Sequence, residues 1–216
     1  MPKRTPEPGV WRTIARELKA LEPRALIEVI ADLYEFSPEN RAHLAARFCD
    51  EAGSSALLDK YKAKITSQFL TRHGPRVSRD PDFMLCRRLI REYRKATTWD
   101  EISDEFDAHG AFDLGLHSIE TGVAFLRKVD WNEARPYDCL AAVAKEMVEI
   151  CQGPDGGAIA RTFLPRIRAL APAGDSLGYG FCDVTYGLLD AVEEAAGQSA
   201  KAGEQHPPGA LDHPAE

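Results

Sequence analysis

Arg87, Arg91 and Arg94 recur at i, i+4 and i+7, flanked by Arg88 and Lys95, on the side of one helical pattern opposite Leu89 and Tyr93. A guanidinium row at that spacing can hold phosphate or carboxylate oxygens through paired N–H donors. The row lies in a wider basic stretch. Between Asp59 and Lys95 eleven Lys and Arg stand against four acids, so this stretch carries +7 and the remainder −14 of a chain whose formal charge is −7. Arg72, Arg76 and Arg79 in the preceding loop, with Arg87, Arg91, Arg94 and Lys95, are the candidate contacts to an acidic protein partner or an anion. The competing expectation is internal. Asp100, Glu101, Asp104, Glu105 and Asp107 follow directly, and if that segment packs antiparallel it neutralises the row within the fold. Charged helix faces are mostly solvated or paired at home, which favours this second outcome.

His109, Asp113, His117 and Glu120 form a second set, at i, i+4, i+8 and i+11 along one helical flank. Histidine and carboxylate one turn apart can share a divalent metal. Metal sites in helical bundles draw ligands from facing helices, often as Glu-x-x-His, and that tetrapeptide does not occur here. The stripe also sits one residue beyond the apolar face of 112, 116, 119 and 123, and Glu120 could equally be a half-buried carboxylate satisfied by an arginine. Other chemistry is not signalled. Gly153, Gly156 and Gly157 lack the Lys-Ser/Thr of a phosphate loop, and there is no G-x-S-x-G elbow. Cys49 has no evident activating histidine. Tyr61, Phe69 and Tyr93 face inward, so no base-stacking platform is indicated. No catalytic residue and no cofactor is expected.

The elements that would position these groups read as helices throughout. Arg24–Phe48 is the clearest stretch. Leu26, Ile27, Ile30, Leu33 and Tyr34 make one apolar face, Ser37 and Pro38 start a second helix, and Leu44, Ala45 and Phe48 give its face. The pair is expected to close as a hairpin around which the other helices pack. Ahead of it Val10, Trp11, Ile14, Leu18 and Leu21 trace a first helix. Behind it come faces at Leu57 or Leu58, Tyr61, Ile65 and Phe69, and at Met84, Cys86, Leu89, Ile90 and Tyr93, the latter started by Asp80 and Pro81. Thr98 is read as the cap of the next helix, with a kink or break at Gly110, before Phe112, Leu116, Ile119, Val123 and Leu126. Tyr137–Cys151, Ile159–Leu170 and Leu177–Val192 complete the set. The expected fold is all-α: a single domain of about eight to nine antiparallel-packed helices, over residues 10–196, in a stack of helical hairpins. An extended segment, 1–9, precedes it, and a disordered tail, 197–216, follows.

The motifs LIEVIADLYEFSPENRAHLAARF, YKAKITSQF with its basic linker and LIREYRKAT, IETGVAFL and GYGFCDVTYGLLD together resemble a bacterial all-helical family catalogued as a domain of unknown function. The resemblance spans about residues 15–193. It implies an all-helical fold and brings no known activity. The family pattern has a histidine where this chain has Cys182, so the resemblance implies no shared metal site on the last helix.

Composition narrows the classes further. Net negative charge argues against a DNA-coating role for the whole chain. No apolar segment of signal-peptide length follows MPKRTPEPGV, and no uncharged apolar run approaches the ~18 residues of a membrane span. The five cysteines are odd in number and form no CxxC, which fits buried thiols in a reducing cytoplasm better than disulfides. The leading expectation is a non-enzymatic cytoplasmic interaction module that presents a basic helix face to an acidic partner. The alternatives are a nucleic-acid or phosphate-ligand binder through 60–95, and a metal-dependent enzyme around His117 and Glu120.

Overall fold

In a computed structural model of the chain, residues 8–48, 51–71, 74–75, 81–98, 105–129 and 133–204 are described. They form nine α-helices: α1 (Pro8–Ala20), α2 (Pro23–Phe36), α3 (Pro38–Phe48), α4 (Glu51–Phe69), α5 (Phe83–Thr97), α6 (Ala108–Leu126), α7 (Arg135–Cys151), α8 (Gly156–Leu170) and α9 (Phe181–Glu204). A two-residue antiparallel pairing of β1 (Leu70–Thr71) with β2 (Gly74–Pro75) follows α4, and a 3-10 turn, Ala171–Gly174, leads out of α8. The architecture is the expected all-α single domain.

Its centre is α6. Thirteen of its nineteen residues are buried, including Phe112, Leu114, Leu116, Ile119, Val123 and Phe125, so it is apolar nearly all round. Such a helix has to be enclosed. Four amphipathic neighbours, α4, α5, α7 and α8, enclose it, and α9 closes the far side by packing on α7 and α8. Each brings one apolar stripe: Leu57, Tyr61, Ile65 and Phe69 from α4; Phe83, Cys86, Leu89, Ile90 and Tyr93 from α5; Tyr137, Leu140, Ala144 and Met147 from α7; Ile159, Phe163, Ile167 and Leu170 from α8. Phe69 meets Phe83 and Phe125 with ring centroids 5.0 and 5.7 Å apart, joining α4, α5 and α6 at one end. Along the α6–α7 contact the spacing is set by two glycines. A Cβ on Gly115 would lie 2.9 Å from Met147 Cγ, and one on Gly122 2.9 Å from Leu140 Cδ1, so only hydrogen lets the helices approach this closely.

Several local readings need correction. The α2–α3 pair is not the centre of the molecule. No residue of α2 is buried, and Ile27, Leu33 and Phe36 are 66%, 50% and 85% exposed. The hairpin attaches to the rest through α3, which packs on α4 and α5. Ser37 does cap α3, accepting from Asn40 N at 3.0 Å. Helix α5 is started by Asp82, whose side chain accepts from Leu85 N, and not by Asp80, which lies outside the described residues. Thr98 ends α5, its hydroxyl donating to the Arg94 carbonyl at 2.8 Å; the segment it was expected to cap, 99–104, lies outside the described residues. Gly110 is no kink. It sits in the first turn of α6, where its N–H donates to the capping Asp107 at 2.8 Å. The first helix begins at Pro8 and the last runs to Glu204, beyond the expected boundaries at 10 and 196. The expected disordered tail from 205 onward lies outside the described residues, as do Cys49, Trp99 and Trp131. Trp11, expected at a core or helix-start position, is 57% exposed. Met84, placed on the inward stripe of α5, is exposed, although its Sδ lies 3.4 Å from Cys139 Sγ.

Candidate interaction surface

The basic row is largely spoken for inside the fold, by a partner different from the one expected. Arg87 Nε donates to Glu146 Oε1 at 2.7 Å, and Arg91 donates to the same oxygen at 3.2 Å. Glu146 comes from α7, which crosses beside α5, and its carboxylate is mostly buried. Arg94 lies over the Phe106 ring, 4.1 Å from its centroid, a cation–π contact. Asp107, from the acidic run expected to neutralise the row, instead takes the Tyr93 hydroxyl at 2.5 Å and caps α6. Asp100, Glu101 and Asp104 lie outside the described residues, and so do Arg72, Arg76 and Arg79. Of the candidate cations, Arg91 remains more than half exposed and Lys95 is exposed.

The His/carboxylate stripe of α6 is bound by cations of two other helices. Asp113 accepts from Lys62 Nζ of α4 at 2.6 Å and from Arg166 Nη1 of α8 at 2.6 Å. Arg166 also grips Glu120 through Nε at 3.1 Å and Nη2 at 2.7 Å, the bidentate geometry that makes such pairs strong. His117 Nε2 lies 2.8 Å from Thr66 Oγ1, and His109 stacks on Phe163 with centroids 4.8 Å apart. Burial pushes the Asp113 carboxyl up, but the hydrogen bonds from Lys62 and Arg166 outweigh it and hold it below the usual range. The Glu120 hydrogen bonds push Arg166 up, against the effect of burial. Burial, then the Lys62 charge, lowers His117. This network ties α4, α6 and α8 together. Among the described residues no cluster of three or more His, Cys, Asp or Glu is arranged to hold a metal ion.

A cleft of about 660 Å³ opens between the end of α5, the start of α6, the end of α7 and the start of α8. Arg94, Asp107, His109, Glu149 and Asp155 stand around it. Two of these, Arg94 and Asp107, already hold the local structure as described above. Two of the thiols are held protonated by burial, which pushes Cys86 up to about 12 and Cys151 up to about 11.

What the sequence reading assigned to the core, and the structure leaves outside, is the apolar face of α1 and α2. Val10, Trp11, Ile14, Leu21, Ile27, Ile30, Leu33 and Tyr34 are each between 37% and 66% exposed, and Phe36, which the expected face did not include, is 85% exposed. Among the described elements, α1 packs extensively on none, and the one extensive packing of α2 is on α3. The polar sides carry Arg12, Arg16, Glu17 and Lys19 on α1, and Arg24, Glu28, Asp32 and Glu35 on α2. The i, i+3, i+4 spacing that reveals an apolar face does not say what covers it, so this face was mistaken for core. Elsewhere, among the described residues, the exposed large apolar side chains are Phe48, Met84, Tyr179 and Tyr186, scattered over separate elements.

Compared with known proteins, the chain matches no family model, no curated protein and no solved structure. No described helix is long and apolar enough to cross a membrane.

Proposed function

We propose that this chain is a non-enzymatic protein-interaction module whose docking surface is the apolar face of the α1–α2 arm. The observation that carries this reading is the exposure of nine large apolar side chains, eight on two consecutive helices and Leu21 in their connection. Their exposed apolar areas add up to about 1,000 Å² over the two helices and their connection. Helices of 13 and 14 residues are also marginal in water without an apolar partner. The basic row is the weaker docking surface, because Arg87 and Arg91 are tied to Glu146 and Arg94 to Phe106. The motif resemblance to the bacterial helical family agrees with the fold and adds no activity.

The test is site-specific photo-crosslinking. A benzoylphenylalanine replacing Leu33 is expected to form a covalent adduct with a second polypeptide, whereas one replacing Arg88 on the basic face is not. Adducts from the Arg88 position alone, or from neither, would reverse the assignment.

A further inference from the structure

We infer that the partner of this arm is a second copy of the same chain, the two arms covering each other about a two-fold axis; this rests on the reading of the arm as a docking surface. Area supports it first. A stable two-protein interface of standard size needs ~800 Å² from each partner, and the arm offers about that much. The distribution of apolar groups supports it next. Among the described residues outside the arm the exposed large apolar side chains are few and dispersed: Phe48 lies on α3, Met84 on α5, Tyr186 on α9, and the Tyr179 ring centroid lies 4.9 Å from that of Tyr137. Among the described surfaces, the one that matches an arm in exposed apolar area is another arm. Such pairing is isologous and closes at a dimer, without the open-ended polymer that an arm-to-body contact would build. Helices α1 and α2 are of nearly equal length, 13 and 14 residues, so α1 of one copy can run the full length of α2 of the other. Four short amphipathic helices would then enclose one apolar seam, which gives each helix the partner it lacks alone.

Charge argues against a lipid surface as the occupant. An interfacial helix carries Lys and Arg along its polar side. Here α1 has three basic residues and one acid, whereas α2 has one basic residue and three acids, so the arm's own charges cancel.

The experiment is sedimentation velocity on the full chain from ~1 to ~100 µM, the range in which a micromolar dimer declares itself. The wild type is expected to sediment as a dimer with a concentration-dependent monomer fraction. Ile27→Glu combined with Leu33→Glu should give a monomer at every concentration, with the near-UV circular dichroism of the body unchanged, because neither side chain is buried in the fold. Arg88→Gln with Lys95→Gln, on the basic face, should remain dimeric. A wild type that stays monomeric at the highest concentration, or an arm variant that stays dimeric, overturns the inference. The crosslinking result then separates the two ideas. A monomer whose Leu33 position still captures a different polypeptide loses the self-pairing but keeps the arm as a docking surface; a monomer with no adduct loses both. A monomer that co-sediments with phosphatidylcholine–phosphatidylserine vesicles, and ceases to when Ile27 and Leu33 become Glu, assigns the arm to a bilayer and overturns both.

Discussion

Asp113 shows how single residues were settled by partners far away in sequence. It is flanked by cations from α4 and α8, and neither Lys62 nor Arg166 is marked in the sequence as its mate. That Glu120 would be satisfied by an arginine was legible as a possibility; which arginine was not, because helix spacing describes one element at a time. The same network yields a pH signature. His117 faces Lys62 and Thr66 from α4 and Asp113 and Glu120 on its own helix, with Arg166 of α8 bound to both acids. Its pKa is lowered from 6.5, so below that value the unfolded chain binds more protons than the folded one. Stability should be flat above pH 6.5 and fall as the pH drops from there toward the folded value, and His117→Gln should remove that slope. Asp113 acts in a separate window: its contribution is present above 3.8 and is lost as the pH falls through its lowered folded value. Thermal melts taken from about pH 4 to about pH 8 read the histidine window directly. Glu146 is a further case. Removing Arg87 takes away the shorter of its two ion-pair contacts and leaves a mostly buried carboxylate held only by the more exposed Arg91. Arg87→Gln should cost about 1–3 kcal/mol in a denaturant titration, more than the ~0–1 kcal/mol of an exposed pair. A loss as small as that of Arg88→Gln would show that the burial of Glu146 does not matter.

At the scale of the element, α2 and α6 make the instructive contrast. Both carry well-spaced apolar residues, and α2 has the cleaner face, yet α2 buries nothing and α6 nearly everything. The reason is compositional. Helix α6 has glycine, alanine and serine beside its large apolar residues, and its one polar flank, Asp113 and Glu120, is covered by Lys62 of α4 and Arg166 of α8. Helix α2 has Glu28, Asp32 and Glu35 to solvate its back. Helix existence and inward stripes were therefore readable for α4 to α9, whereas the rank of each helix in the packing was not. Capping was legible at Ser37, whose hydroxyl serves the helix that follows, while at Thr98 the hydroxyl bonds back to α5, which spacing alone does not foretell. Two substitutions measure the contrast. Leu116→Ala, fully buried on α6, should cost about 2–5 kcal/mol. Leu33→Ala, half exposed on α2, should stay within about 0.5 kcal/mol when the monomer is measured at high dilution. The turn between α7 and α8 is a third test. A Cβ on Gly156 would lie 1.9 Å from the Cys151 carbonyl oxygen, a clash with backbone that cannot rotate away. Gly156→Ala should lower stability by about 2 kcal/mol or more, and an unchanged melting temperature would mean that the turn rebuilds.

The molecule as a whole divides into an enclosed body and an uncovered arm. The body is held by contacts among α4 to α9, with α3 as the bridge to the arm. The fold class was legible because every periodic segment was helical; the division was not, because an apolar face meant for a partner has the same spacing as one meant for a core. The position of α6 has one consequence for motion. Because four helices and their side chains surround it, its backbone amides cannot meet water unless those neighbours separate. Deuterium uptake at α6 should therefore require opening of the whole body and proceed at the rate set by its full unfolding free energy. Uptake along α1 and α2 needs only the fraying of short, uncovered helices, and should be orders of magnitude faster in dilute protein. The slow and fast extremes of the exchange map would then lie within one chain, at its innermost helix and at its first two.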